Sequence, residues 1–139
     1  MAARKGSGRE ITDRFRERYS ERIPEALRTL QKEVIGADVG AQGYTTVEQA
    51  DLLAKRLRLR PGISLLDVGS GRGWPGLYLA GKTGCRVVLT DVPLSGLRVA
   101  HRRAQERKLL ARCFLSAASA RYLPFRASSF DAVVHTDTL

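Results

Sequence analysis

The apolar positions of this chain change period as it runs, and each change marks an element. Val47, Ala50, Ala54 and Leu57 recur at steps of three, four and three, which lays one stripe along a helix over residues 45–58. Thr45 and Glu48 stand at its start with capping-box spacing. Pro61-Gly62 then turn the chain, and Ile63 to Val68 forms a nearly unbroken apolar run, a strand over 63–68. A second run, Val87-Val88-Leu89, centres a strand over 85–90 that reads as buried on both faces. Pro93 and Ser95 open a helix to about residue 110. It turns Leu97, Ala100 and Ala104 inward and carries Arg98, Arg102, Arg103, Arg107 and Lys108 on the other face. Phe114-Leu115 centre a short third strand, and Ala132-Val133-Val134 lie in a fourth over 130–135.

The N-terminal part is weaker in pattern. Residues 1–9 read as a loose basic tail. Ile11, Phe15 and Tyr19 follow at four-residue steps on one helical face. Pro24 opens a second helix with Leu27, Leu30 and Val34 on one stripe, and Gly36, Gly40 and Gly43 mark a loop. The two helices serve either as a lid or pocket wall over a bound ligand, or simply as packing on the core edge.

Between the first strand and a short helix over 75–81 lies Asp67-Val68-Gly69-Ser70-Gly71-Arg72-Gly73-Trp74-Pro75. Glycines at alternate positions let a ligand approach main chain with no Cβ in the way. Pro75 suits a first helical position, and the free N–H groups of the helix start are expected to point at whatever sits there. Strands alternating with helices imply parallel pairing through right-handed crossovers. With the glycine turn after the first strand, the expected fold is α/β: a doubly wound, Rossmann-like parallel sheet over residues 45–139, preceded by an N-terminal helical extension over 1–44. Ligands of such sheets lie beyond the carboxyl ends of the strands, where Asp67, Asp91, the Ser119 region and Asp137 fall.

Composition changes this picture little. The chain of 139 residues is 43% apolar and 27% charged, an ordinary globular balance. A formal net charge of +10 permits RNA as a partner, but the basic residues are scattered and not interleaved with aromatics, as a solvated arginine-rich surface would be. Cys85 and Cys113 lack metal-ligand spacing and read as buried free thiols, and no metal site is expected. Residues 1–10 are charged and lack an apolar core segment, so they do not read as a secretory signal, and no apolar run approaches the roughly 18 residues of a membrane span, so a cytoplasmic, soluble protein is expected.

Two cofactor readings compete. Gly71, Gly73 and Gly76 spell a dinucleotide fingerprint, with Asp91 twenty positions after Gly71, as an NAD-binding dehydrogenase domain would have. That register starts late, however, and would place Asp67 and Gly69 within the strand. The local pattern alone does not separate the readings. The other starts from DVGSGRG at 67–73, which resembles the first motif of class I S-adenosylmethionine-dependent methyltransferases. VVLTD ending in Asp91 resembles their second strand, and Leu123-Pro124-Phe125 with Ser129-Phe130-Asp131-Ala132-Val133-Val134 resembles their segment entering the fourth strand.

The resemblance implies strand order 3-2-1-4 and S-adenosylmethionine as cofactor. It implies that Gly69, Ser70, Gly71 and Gly73 pass close to the methionine and ribose portions, and that Asp67 lies beside the amino end. Asp91 would accept from both ribose hydroxyls, and Val92 would pack on the adenine. Ser119, followed by Ala120, stands where relatives often carry an acid for the adenine amino group. Tyr44 and Thr45 would reach the methionine end. The family fold continues after its fourth strand, so a truncated chain, or a partner segment covering an open edge prone to self-association, is also expected. The implied reaction is methyl transfer to a small-molecule acceptor, with RNA as second choice and an inactive cofactor-binding fragment as a third reading. His135 and Asp137 stand where a base would lie, His101 reads as exposed, and no catalytic residue is assigned.

Overall fold

A computed structural model describes residues 9–10, 13–14, 23–36 and 43–136. The expected helix on Ile11, Phe15 and Tyr19, the loop glycine Gly40, most of the basic tail, and Asp137 lie outside them. Along the described residues, the helices α1 (Glu25–Ile35) and α2 (Val47–Arg56) precede an alternating series: β1 (Ser64–Val68), α3 (Gly76–Thr83), β2 (Arg86–Asp91), α4 (Leu94–Glu106), β3 (Cys113–Ala117) and β4 (Ala132–Val134). The four strands are all parallel, in the order β3-β2-β1-β4. The sheet and its order agree with expectation.

The reason lies in the alternation along each strand. Leu65 and Asp67 of β1, Val87 and Leu89 of β2, Cys113 and Leu115 of β3, and Ala132 and Val134 of β4 share one face through the strand register. Helix α3 packs on β1 and β2, α4 on β2 and β3, and α2 on α3. Leu77, Leu79 and Ala80 of α3 and Leu97, Ala100 and Ala104 of α4 close the core as expected. Each fully buried leucine there contributes about 1.5–3 kcal/mol. Cys85 and Cys113 are buried free thiols, and burial pushes Cys113 up to about 11.

The other face departs from expectation. Phe114, Val88, Leu66 and Val133 form one row across the sheet. Leu66 is buried and Val88 half-buried, but Phe114 is 51% and Val133 55% exposed. β2 is thus not buried equally on both faces. Leu27, Leu30 and Val34 form the expected stripe on α1 and remain exposed, while Ile35 alone on that helix is buried. No helix among the described residues is long and apolar enough to cross a membrane.

The capping box at α2 is displaced by one residue from Thr45 and Glu48. Thr46 is the N-cap: its side chain accepts from Gln49 N–H, and the Gln49 side chain accepts from Thr46 N–H. Both pairs have the spacing. Thr45 is instead drawn into the interior. Pro75, expected at the first helical position, is instead the N-cap of α3, whose first residue is Gly76.

Candidate functional site

The carboxyl ends of β1 and β2 converge on the glycine bend. Asp67, 1% exposed, points from β1 under the start of α3, where its Oδ2 accepts from Gly76 N–H at 2.9 Å. A Cβ on Gly76 would stand 2.6 Å from that oxygen and 2.6 Å from Leu89 Cδ2. Gly76 is therefore glycine so that helix and carboxylate can approach. Burial raises the Asp67 pKa well above the usual carboxylate value, the Gly76 bond opposes this, and the charge of Asp91 adds to the rise.

That direction fixes a pH dependence. Between the unfolded-chain value near 3.8 and the raised folded value, the folded protein holds a proton that the unfolded chain has released. The stabilisation is full at low pH and is lost as pH rises through the folded pKa. Asp67→Asn, which keeps an oxygen for Gly76 N–H but cannot ionise, is expected to flatten the fall in melting temperature as pH rises above the unfolded-chain value. An unaltered slope in thermal melts would assign the effect to another group.

The bend itself is held by β2. Thr90 O accepts from Gly69 N–H at 2.8 Å and Ser70 N–H at 3.1 Å, and Asp91 Oδ2 accepts from Gly71 N–H at 2.7 Å. Gly73 N–H donates to Ser70 O at 2.8 Å. Gly69, Gly71 and Gly73 all have positive φ, at 71°, 52° and 97°. The expectation that the free N–H groups of the helix start point at a ligand is thus corrected for Gly76, and the N–H groups of Gly69, Ser70, Gly71 and Gly73 in the bend are likewise bonded. All five are spent within the protein, because the end of β2 and the carboxylate of β1 lie close enough to take them. Gly73 is also fixed by packing: a Cβ there would stand 2.7 Å from Leu77 Cδ1.

Asp91 is half-buried, and its Oδ1 accepts from Val92 N–H at 2.7 Å. Burial raises its pKa, opposed by the bonds from Gly71 and Val92. Each carboxylate oxygen has accepted one protein N–H and retains acceptor capacity for a hydroxyl. Ser70 Oγ is buried with no hydrogen-bond partner among the described residues. Val92 is exposed beside Asp91.

The end of β3 joins the same locus, with Ala118 N–H donating to Asp91 O at 3.0 Å. Ser119 follows in a turn: its Oγ accepts from Arg121 N–H and its carbonyl from Tyr122 N–H. Ala120 is exposed. The structure therefore gathers Asp67, Gly69, Ser70, Gly71, Gly73, Asp91 and Val92 around one bend. Ser119 and Ala120 lie in the connection leaving the strand beside it. His135 follows β4 and His101 lies on α4, both exposed.

Over residues 65–139, which carry the bend, Asp91 and all of β2 to β4, the sequence matches the methyltransferase domain model. The chain belongs to the class I S-adenosylmethionine-dependent methyltransferases. The chain is 38% identical over 81 residues to the methyltransferase GfsG of Streptomyces halstedii, covering 58% of this chain and 29% of that protein. It is 35% identical over 96 residues to 27-O-demethylrifamycin SV methyltransferase of Amycolatopsis mediterranei, covering 68% of this chain and 35% of that one. A solved methyltransferase from Geobacter sulfurreducens, in complex with S-adenosyl-L-homocysteine, shares the fold with a TM-score of 0.62 at 23% identity, covering 84% of this chain and 44% of that one. The chain spans about a third of the length of the curated relatives it matches.

Sequence reasoning placed Gly76 only in the dinucleotide fingerprint and gave Trp74 no role. For Gly76 there was a readable signal, a glycine at a helix start nine positions after Asp67. Trp74 had none: its indole Nε1 donates to Thr45 O at 2.9 Å across 29 positions of chain.

Proposed function

We propose that this chain carries the cofactor-binding part of an enzyme that transfers a methyl group from S-adenosylmethionine to a small-molecule acceptor. The observation that carries the cofactor assignment is the bend's hydrogen bonding. A dinucleotide needs unspent N–H groups for its pyrophosphate. Here five of them are used internally. S-adenosylmethionine has no phosphate and asks instead for close main chain, acceptors for a ribose diol and a place for cationic groups. The positive-φ glycines, the two oxygens of Asp91 and the orphaned Ser70 hydroxyl fit those demands.

When bound, the cofactor supplies an electrophilic methyl carbon on sulfur. The work left to this chain is orientation. Asp91 holds the ribose, Val92 lies against the adenine, with Ser119 and Ala120 at its amino edge, and the backbone of Gly69 to Gly73 passes along the methionine side. Asp67 acts from beneath, holding α3 against the bend. The small-molecule acceptor is supported by the name of the rifamycin-modifying relative.

Calorimetric titration of the purified chain with S-adenosylhomocysteine and, separately, with NAD tests the assignment. S-adenosylhomocysteine is expected to bind and NAD to give no heat of binding. The reverse result would overturn it.

A further inference from the structure

Trp74 is the chain's single tryptophan, and it stands within the glycine bend only 8% exposed. A buried indole N–H requires an acceptor. Here the acceptor is Thr45 O, one residue before the N-cap of α2. The bond thus fastens the main chain entering α2 to the bend. Tyr44, the next residue outward, is 83% exposed.

A neighbouring contact supplies a contrast. The Trp74 ring lies 5.3 Å from that of Tyr78, centroid to centroid. Tyr78 donates its hydroxyl to Asp51 Oδ1 at 2.6 Å, and Lys82 pairs with the same oxygen. That group joins α3 to α2, helix to helix. Trp74 joins α2's leading segment to the bend itself. The two ties therefore have separable consequences for whatever occupies the bend.

We infer that Trp74 is a positioning residue: its indole N–H couples occupancy of the glycine bend to the Tyr44–Thr45 segment that leads into α2. This rests on the bend being the cofactor's seat. The coupling runs through one buried hydrogen bond, so its loss is expected to weaken cofactor binding about three- to tenfold.

The test is hydrogen–deuterium exchange, with calorimetry, on the full chain with and without S-adenosylhomocysteine, as wild type, Trp74→Phe and Tyr78→Phe. In the wild type the ligand is expected to slow exchange both at 69–73 and at 43–50. Trp74→Phe keeps an aromatic ring but not the donor; it is expected to bind about three- to tenfold more weakly and to lose the slowing at 43–50 alone. Tyr78→Phe is expected to bind within twofold of wild type and to keep both.

Wild-type binding with Trp74→Phe unchanged in both readouts overturns the coupling and leaves the site. An equal loss in Tyr78→Phe also overturns it, since general stiffening would then explain the effect. A wild type that fails to bind overturns site and coupling together. Should Trp74→Phe not fold, the wild-type exchange decides: slowing at 43–50 supports the coupling, and its absence overturns it.

Discussion

Asp91→Ala is expected to lower affinity for S-adenosylhomocysteine at least about a hundredfold, the largest loss of binding from any single side chain here. Two ribose hydroxyls donating to an ionised carboxylate are each worth about 1.5–3 kcal/mol, and about 1.4 kcal/mol is tenfold in affinity. The substitution also removes the acceptor for Gly71 N–H, bonded to Asp91 Oδ2 at 2.7 Å, so the bend loses its middle anchor. Asp91→Asn is an informative partner. It keeps one carbonyl oxygen, loses the charge and one acceptor, and is expected to fall between wild type and alanine. Calorimetric titration of the three proteins reads the series directly. Binding by Asp91→Ala within threefold of wild type would remove Asp91 from the site.

Gly76→Ala is expected to be strongly destabilising, at about 2–6 kcal/mol. An added Cβ 2.6 Å from both Asp67 Oδ2 and Leu89 Cδ2 forces the start of α3 away from the sheet. Overpacking of that kind typically costs about 1–3 kcal/mol. Displacement also strips the buried Asp67 carboxyl of its Gly76 donor, and an unsatisfied buried group costs about 1–3 kcal/mol more. Total stabilities of about 5–15 kcal/mol leave little after such a loss. Gly62→Ala is the control. Gly62 has φ +92° with nothing within 4 Å of the added carbon, so it incurs backbone strain without a clash. Strain alone is worth about 1–2 kcal/mol. Urea unfolding of both variants separates the terms, and equal midpoints would rule out the clash as the dominant effect.

The two expectations explain why this site was only partly legible in advance. Asp91 could be placed from the sequence because strand ends are marked by the apolar run that precedes them, and the ribose-binding role expected of it came from the resemblance. Gly69, Gly71 and Gly73 could be named because alternate glycines after a strand have few other uses. Asp67 could be named, but its partner could not. The carboxylate reaches Gly76 only because β1 and α3 are stacked, and no local pattern states that distance. The capping box shows the same limit at small scale. Thr45 with Glu48 and Thr46 with Gln49 have identical spacing; the deciding fact is that the carbonyl of Thr45 is held by Trp74.

Apolar periodicity determined the elements and their parallel pairing, because burial of one face per strand allows few arrangements and right-handed crossovers prune the rest, while the order of the strands came with the resemblance to the methyltransferase family. Short-range order along the chain determined the bend and the acid beside it. Tertiary structure alone decided that the amides of the bend are spent internally, that Phe114 and Val133 stand exposed at the sheet's edges, and that a tryptophan ties the approach to α2 to the bend. Those outcomes depend on which groups distant in the chain come within 3 Å of one another, and a hydrogen bond or a clash is settled at that scale by packing rather than by pattern.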